Sequence, residues 1–280
     1  MRLFLLLSSC LLPIFAESSY ALSTGEQDRE RLIILNELYN PSTLSRLEIT
    51  PGLRILTIGC GIALLELELA QQVGPQGSIL ATDISSDQLL IAEQTALAAN
   101  IKNLQFMQLN VEDAGQIPGV FDRIHCRFVL SHLPLGVVEQ VIPVLYGLLA
   151  PEGILVLEEI ANLNSLTCEP QHIGYDKWKC IVQKQFAAQQ SDVSPAERIL
   201  EFLKKRGYVV FSYSYHPILH SQREKMILSL GVISVRDHLL KQGTVSSNEI
   251  EETIPLLEQL EQDLTILPRY CESSQIVVRQ

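Results

Sequence analysis

The chain has 280 residues, 47% of them hydrophobic and 19% charged, which supplies a large core and excludes wholesale disorder. Its formal net charge of −11, with no Lys/Arg-rich tract, excludes a nucleic-acid backbone as the main partner, because phosphate recognition needs a basic face. The length admits one large domain, or one domain with a sizeable elaboration.

The chain opens with MRLFLLLSSCLLPIFA, one basic residue followed by an apolar run and a small residue, Ala16. This reads as a short export signal, too short to span a bilayer, with cleavage after Ala16 or alternatively after Ala21. The other reading is an apolar N-terminal helix lying on the domain. The first implies an exported or periplasmic protein and the second a cytoplasmic one. Of the six cysteines, five lie outside this segment, so an even disulfide framework is not expected. Cys168, Cys180 and Cys271 are the ones available to pair in an oxidising compartment.

Apolar residues at Leu32, Leu35, Leu38 and Tyr39 predict a helix ended by Asn40-Pro41. PGLRILTIG is then a turn and a continuous apolar strand of the kind buried on both faces in a parallel sheet. Leu64 to Val73 reads as a helix closed by Gly74-Pro75, and SILATDIS as a second strand ending at Asp83. Ser85 with Gln88 forms a capping box that opens a helix through Ala99. LQFMQLNV is a third strand and FDRIHCRFVL begins a fourth. VVEQVIPVLYGLL is a helix containing Pro143, and PEGILVLEEI is a turn into a fifth strand. Strand–helix alternation at this rhythm means an α/β fold built on a parallel sheet.

After Ile160 the rhythm changes. YDKWKCIVQKQFAAQQ and PAERILEFLKKRGY are helical, YVVFSYSY alternates as a strand, and SQIVVRQ is a last short strand. The sheet is thus expected to have seven strands, mostly parallel. A mostly helical tract, about 219–270, is inserted between the last two as a lid over the carboxyl ends of the strands, where open α/β sheets bind ligands.

Gly59 and Gly61 stand where the first strand ends and a helix begins, so the backbone can turn sharply and approach a ligand closely. A dinucleotide fingerprint would need a small residue at position 64, and Leu64 crowds helix against strand. An NAD-linked oxidoreductase is therefore disfavoured. The alternative spacing, G-x-G-x-G, has Ala63 at its third position. A strand, this turn, and an acid ending the next strand make a nucleoside site, because one carboxylate accepts from two ribose hydroxyls.

These segments together resemble a class I S-adenosylmethionine-dependent methyltransferase, and the resemblance covers roughly Tyr20 to Gln280. LRILTIGCGIALLELELA, ILATDIS, FMQLNVEDA, FDRIHCRFVLSHL and LLAPEGILVLEEI resemble five family motifs in the right order. YALSTGEQDRERLIILNELYN resembles the N-terminal cofactor-covering helix of the quinone and small-molecule subgroup. The resemblance implies a Rossmann-like methyltransferase fold, with a cofactor-covering segment at 17–50 and the methyltransferase domain at 51–280, after the signal that the N-terminal pattern places at 1–16. It implies S-adenosylmethionine as cofactor and a small-molecule methyl acceptor, with no stable membrane span. Gly59, Cys60 and Gly61 match the turn that contacts the methionine part of the cofactor. Asp83 matches the ribose acid, with Ile84 beside the adenine. Asn110, Val111 and Glu112 match the segment that reads the adenine, Arg127 lies within reach of the cofactor carboxylate or the substrate, and Tyr20 closes the site. The chain departs from the pattern at Thr57, where the family often has an acid that orients the cofactor. It departs again at Ile62-Ala63, in place of a common Thr-Gly pair, and at Asn110, in place of aspartate.

Methyl transfer is an in-line displacement at carbon, accelerated largely by holding the nucleophile close and collinear. A general base is needed only where the acceptor must lose a proton. Glu158, Glu159 and His132 lie nearest the carboxyl ends of strands and are the candidates, although His132 in VLSHLP reads better as a helix start than as a base. Cys60 reads as packing. His216 and His220 are separated by Pro217, which spoils a helical metal pair, so no metal is expected. Tyr175 and Trp178 read as core or lid packing, with an aromatic substrate wall as the other reading. The rival to an enzyme is an exported, non-catalytic binding protein on the same fold.

Overall fold

The computed structural model describes residues 25–188 and 194–280, so the leader segment and Tyr20 lie outside the described residues. The first element is helix α1, Glu26–Leu47. Then come β1 (Arg54–Ile58), α2 (Leu64–Val73), β2 (Ser78–Asp83), α3 (Ser86–Ala98) and β3 (Leu104–Gln108). β4 (Phe121–Arg127), α4 (Leu135–Gly147) and β5 (Leu149–Ile160) complete the parallel part. After a two-residue strand β6 (Cys168–Glu169) follow α5 (Ile173–Ala188), α6 (Pro195–Lys205) and β7 (Val209–Tyr215). The chain closes with α7 (Gln222–Lys241), α8 (Ser247–Gln262), β8 (Leu267–Pro268) and β9 (Ser273–Arg279).

The main sheet has seven strands in the order β3-β2-β1-β4-β5-β9-β7. β1 to β5 pair in parallel, and β9 runs antiparallel between β5 and β7. The chain moves outward from β1 through β2 to β3, then returns to lay β4 on the other side of β1. That reversal opens a crevice at the carboxyl ends of β1 and β4, the switch point where such sheets bind ligands. The expected seven-stranded, mostly parallel sheet flanked by helices is therefore present, with the strand assignments of the sequence correct to within a few residues.

Alternate strand residues pack on opposite layers. Leu56, Ile124, Leu155 and Ile276 join α4 and α6 in one apolar cluster, while Ile55, Ile154, Val156 and Val277 join α2 and the end of α1 in another. A third cluster joins α1 to the late helices through Ile34, Leu38, Trp178, Leu228 and Leu257. Trp178 and Tyr175 are buried there, in the packing role. The two inserted helices α7 and α8 each begin with a capping box, Ser221 with Glu224 and Ser246 with Glu249. Among the described residues no helix is long and apolar enough to cross a membrane, and the five described cysteines are free.

Two boundaries differ from expectation for physical reasons. α1 does not end at Asn40-Pro41 but runs through Pro41 to Leu47. A proline inside a helix forfeits one hydrogen bond, yet both halves are held: Tyr39 and Leu47 are fully buried, and Arg123 donates to the terminal carbonyls of Leu47 and Glu48 at 2.6 and 3.3 Å. β3 stops at Gln108 rather than Val111, because the Asn110 side chain caps a short 3₁₀ helix, Val111–Gln116.

Candidate functional site

The turn after β1 is left-handed at three places: Gly59 (φ 70°), Gly61 (φ 55°) and Ala63 (φ 59°). Gly59 also has no room for a side chain, since a Cβ there would lie 2.2 Å from Val129 Cγ2. The Gly59 and Cys60 amides donate to Thr82 O at 2.8 and 2.9 Å, fastening the turn to β2. One residue on, the Gly61 amide donates to Asp83 Oδ2 at 2.8 Å and the Ser85 amide to Asp83 Oδ1 at 2.9 Å. Asp83 therefore ties the glycine turn to the start of α3. Burial pushes its carboxyl above the usual aspartate value, opposed by these amides. Each oxygen keeps a further lone pair, so the carboxylate can still accept two hydroxyls.

Pairing of β2 with β3 brings the next group alongside. Leu109 donates its amide to Asp83 O at 2.9 Å, and Gln108 Nε2 donates to Ile84 O at 3.0 Å. Asn110 Oδ1 accepts the Glu112 amide at 3.2 Å, which leaves Val111 buried and Glu112 exposed at the rim. Gly59, Cys60, Gly61, Asp83 and Ile84 thus adjoin one another at the carboxyl ends of β1 and β2, and Asn110, Val111 and Glu112 follow the end of β3 beside them, with Val111 packed in the core.

The opposite wall is β4, β5 and α1. Arg127 ends β4 and donates to Thr43 Oγ1 (3.1 Å), Asn36 Oδ1 (2.9 Å) and Asn40 Oδ1 (3.1 Å). These three α1 residues were not read from the sequence. Their signal was a polar stripe at i, i+4 and i+7 on a helix whose neighbouring positions are buried. Phe128, next in the chain, has φ 54° and meets Tyr39 edge-on at 5.1 Å between ring centres. A bulky residue with positive φ is strained, and such strain concentrates at ligand sites.

The three base candidates are not brought together. Glu158 is fully buried beneath α1 and accepts from Thr43 Oγ1 (2.6 Å), Ser273 Oγ (3.1 Å) and Gln275 Nε2 (3.1 Å), with His125 Nε2 at 3.8 Å. Burial alone would raise its carboxyl, but His125, Arg127 and Thr43 outweigh that and hold it below the usual range. Burial likewise keeps His125 neutral by lowering its imidazole. Glu159 faces the other side of the sheet, where it accepts the amides of Val129, Leu130 and Ser131 at 3.0, 2.8 and 3.3 Å. Burial pushes it up to about 7. His132 is exposed and stacks on Phe186 at 6.3 Å. The expectation that Glu158 or Glu159 presents a carboxylate to the crevice is corrected: both anchor the strand ends through groups of the protein itself.

Comparison with known proteins agrees with this geometry. The family described as a methyltransferase domain matches residues 56–155. An uncharacterized protein of Rickettsia prowazekii is 36% identical over 181 residues, covering 60% of this chain and 71% of its own. A demethylmenaquinone methyltransferase of Lactococcus lactis is 25% identical over 194 residues, covering 65% of this chain and 75% of its own. Among solved structures, a methyltransferase-like protein of Bacillus halodurans superposes with a TM-score of 0.55 at 16% identity, over 86% of this chain and 97% of its own.

Proposed function

Because the chain belongs to the class I S-adenosylmethionine-dependent methyltransferase family, we propose that it methylates a small, largely apolar acceptor bound between the glycine turn and the aromatic end of β4. It is an enzyme of the small-molecule type, and its cofactor is S-adenosylmethionine. The crevice fits that cofactor: the left-handed glycines leave backbone open, and Asp83 keeps lone pairs for two ribose hydroxyls. When bound, the cofactor supplies an electrophilic methyl group on a sulfonium.

The chain's own part is to bind and orient. Gly59, Cys60 and Gly61 would hold the methionine part, Asp83 the ribose, and Ile84 with Asn110, Val111 and Glu112 the adenine. Arg127, fixed by Asn36, Asn40 and Thr43, would face the cofactor carboxylate or the acceptor. Phe128, with half-buried Tyr215 and Tyr270 nearby around Tyr39, offers a flat apolar wall that favours a ring-containing acceptor. The Lactococcus relative carries the name of a quinone-precursor methyltransferase, which supports that acceptor class. Since Glu158 and Glu159 are committed elsewhere, positioning rather than a carboxylate base would carry the rate.

The observation that carries the reading is Asp83 clamped between the Gly61 and Ser85 amides. Calorimetric titration with S-adenosylmethionine tests it. The wild type should bind, and Asp83→Ala should weaken binding by about 100-fold, for two hydrogen bonds to a charged acceptor. A wild-type chain that binds no S-adenosylmethionine would overturn it in favour of a non-catalytic role.

A further inference from the structure

Helix α2 carries a buried acid that none of the roles above uses. Glu66 lies on its first turn, just past the glycines, and is 2% exposed, with Oε2 unbonded among the described residues. Beside it lies the buried Thr57 hydroxyl of β1, close enough to favour the ionised carboxyl and without another hydrogen-bond partner among the described residues. The charged and titratable groups facing Glu66 are Cys60 of the turn, Asp83 of β2 and Arg127 of β4. Arg127 does not neutralise it directly, since its guanidinium is bonded to Asn36, Asn40 and Thr43. Buried polar atoms are nearly always partnered, and a buried carboxyl that keeps one oxygen open just past the glycine turn indicates a place kept for a ligand. Thr57 is also where the family resemblance implies an acid.

We propose that Glu66 supplies, from α2, the negative charge that position 57 lacks, and receives the α-ammonium of the cofactor's methionine part while Thr57 donates its hydroxyl to the same carboxylate. This rests on the cofactor reading of the glycine turn. Burial pushes the Glu66 carboxyl up to about 7, so near neutrality much of the unloaded protein holds it protonated. Receiving an ammonium requires the carboxylate, and the displaced proton goes to solvent. Binding is therefore linked to proton release.

The test is calorimetry in two buffers of different ionisation enthalpy, at pH 6.5 and 8.5, with S-adenosylmethionine and with adenosine, which lacks the methionine part. The wild type should release a substantial fraction of a proton to the buffer at pH 6.5, and almost none at pH 8.5. Glu66→Gln should abolish that release and weaken S-adenosylmethionine binding roughly tenfold or more, the loss of a charge-assisted bond. Adenosine affinity should stay unchanged. Exchanging the two residues, Thr57→Asp with Glu66→Thr, should restore the affinity for S-adenosylmethionine. Glu159 is also held near 7, but its oxygens stay on backbone amides, so release that survives Glu66→Gln would overturn the assignment. Unchanged S-adenosylmethionine affinity in Glu66→Gln would overturn it as well, while adenosine binding leaves the cofactor reading standing. A wild type that binds neither ligand overturns both. Should Glu66→Gln fail to fold, the wild-type proton release and the exchanged pair decide.

Discussion

The two faces of the sheet are built from the same strands and differ in kind. Towards α4 and α6, β1, β4, β5 and β9 present Leu56, Ile58, Cys126, Leu157 and Ile276, all apolar up to the carboxyl ends of β1 and β4. One residue along, towards α1 and α2, the same strands present Thr57, His125, Arg127, Glu158 and Gln275. The amino-terminal halves of the strands are largely apolar on this face, through Ile55, Ile154 and Val156, with Arg123 at the start of β4 reaching the end of α1. Polarity is thus concentrated on this face and at the end where parallel strands deliver ligand sites, while on the other face Glu159 at the end of β5 is a buried carboxylate held by backbone amides. Period-two alternation lets a single strand build core with one set of residues and a site with the other.

The comparison predicts that neighbouring substitutions in β5 behave differently. Glu158→Ala strands the Thr43, Ser273 and Gln275 donors and should lower stability by about 3–5 kcal/mol, the cost of breaking a buried polar cluster. It should also weaken cofactor binding, because Thr43 connects Glu158 to Arg127. Leu157→Ala should cost about 2–5 kcal/mol by leaving a cavity, with cofactor affinity of the folded protein unchanged. Urea denaturation and calorimetry on both variants check this, and equal loss of cofactor affinity would erase the distinction between the faces. The signs also fix the acid limb. Glu158 is held below its ordinary 4.5, so its contribution is complete above that value and is lost as pH falls through its folded pKa. Burial lowers the His125 imidazole, so below the ordinary value of about 6.5 the unfolded chain takes up its proton first and stability falls in the same direction.

The polar face was half legible in the sequence. Gly59, Gly61 and Asp83 could be read because each marks a local event, a turn or a strand end, and strand pairing then brings those ends together. The partners of Arg127 could not be read so directly, since Thr43 and Asn36 stand 84 and 91 residues away on a helix that proline was expected to end. The pair Glu158-Glu159 hid a simpler lesson. Adjacent strand residues must face opposite layers, so both could not enter one crevice, and only the position of α1 decides what each meets. Glu66 passed as one more helix carboxylate because nothing local distinguishes a buried glutamate from a solvated one.

Within the polar face, Glu66 and Glu158 should pull the pH profile in opposite directions. Glu66 is raised from 4.5 to about 7, so its stabilising protonated form is complete below about 4.5 and is lost as pH rises through about 7. At pH 8 the ionised carboxyl costs the unloaded protein about 3 kcal/mol, at 1.36 kcal/mol per unit. Glu66→Gln should therefore be more stable than wild type at pH 8, by up to about that amount, and close to it near pH 4.5. Thermal melts from pH 4.5 to 8.5 read this, and parallel curves would show that the carboxyl is not strained by burial. A variant that is both more stable and a poorer cofactor binder is the signature of a group kept for its ligand.

The smallest effect separates the backbone of the site from its side chains. Ser85 caps α3 with its hydroxyl, which accepts the Gln88 amide at a long 3.3 Å, while its own amide donates to Asp83 at 2.9 Å. Ser85→Ala removes only the cap and should cost about 0.5–1 kcal/mol. The amide that orients Asp83 remains, so S-adenosylmethionine should bind as in wild type, in contrast to the loss in Asp83→Ala. If Ser85→Ala instead weakens the cofactor tenfold, the clamp on Asp83 depends on the helix start as a whole. The acid would then be set by the packing of α3 rather than by the two amides that touch it.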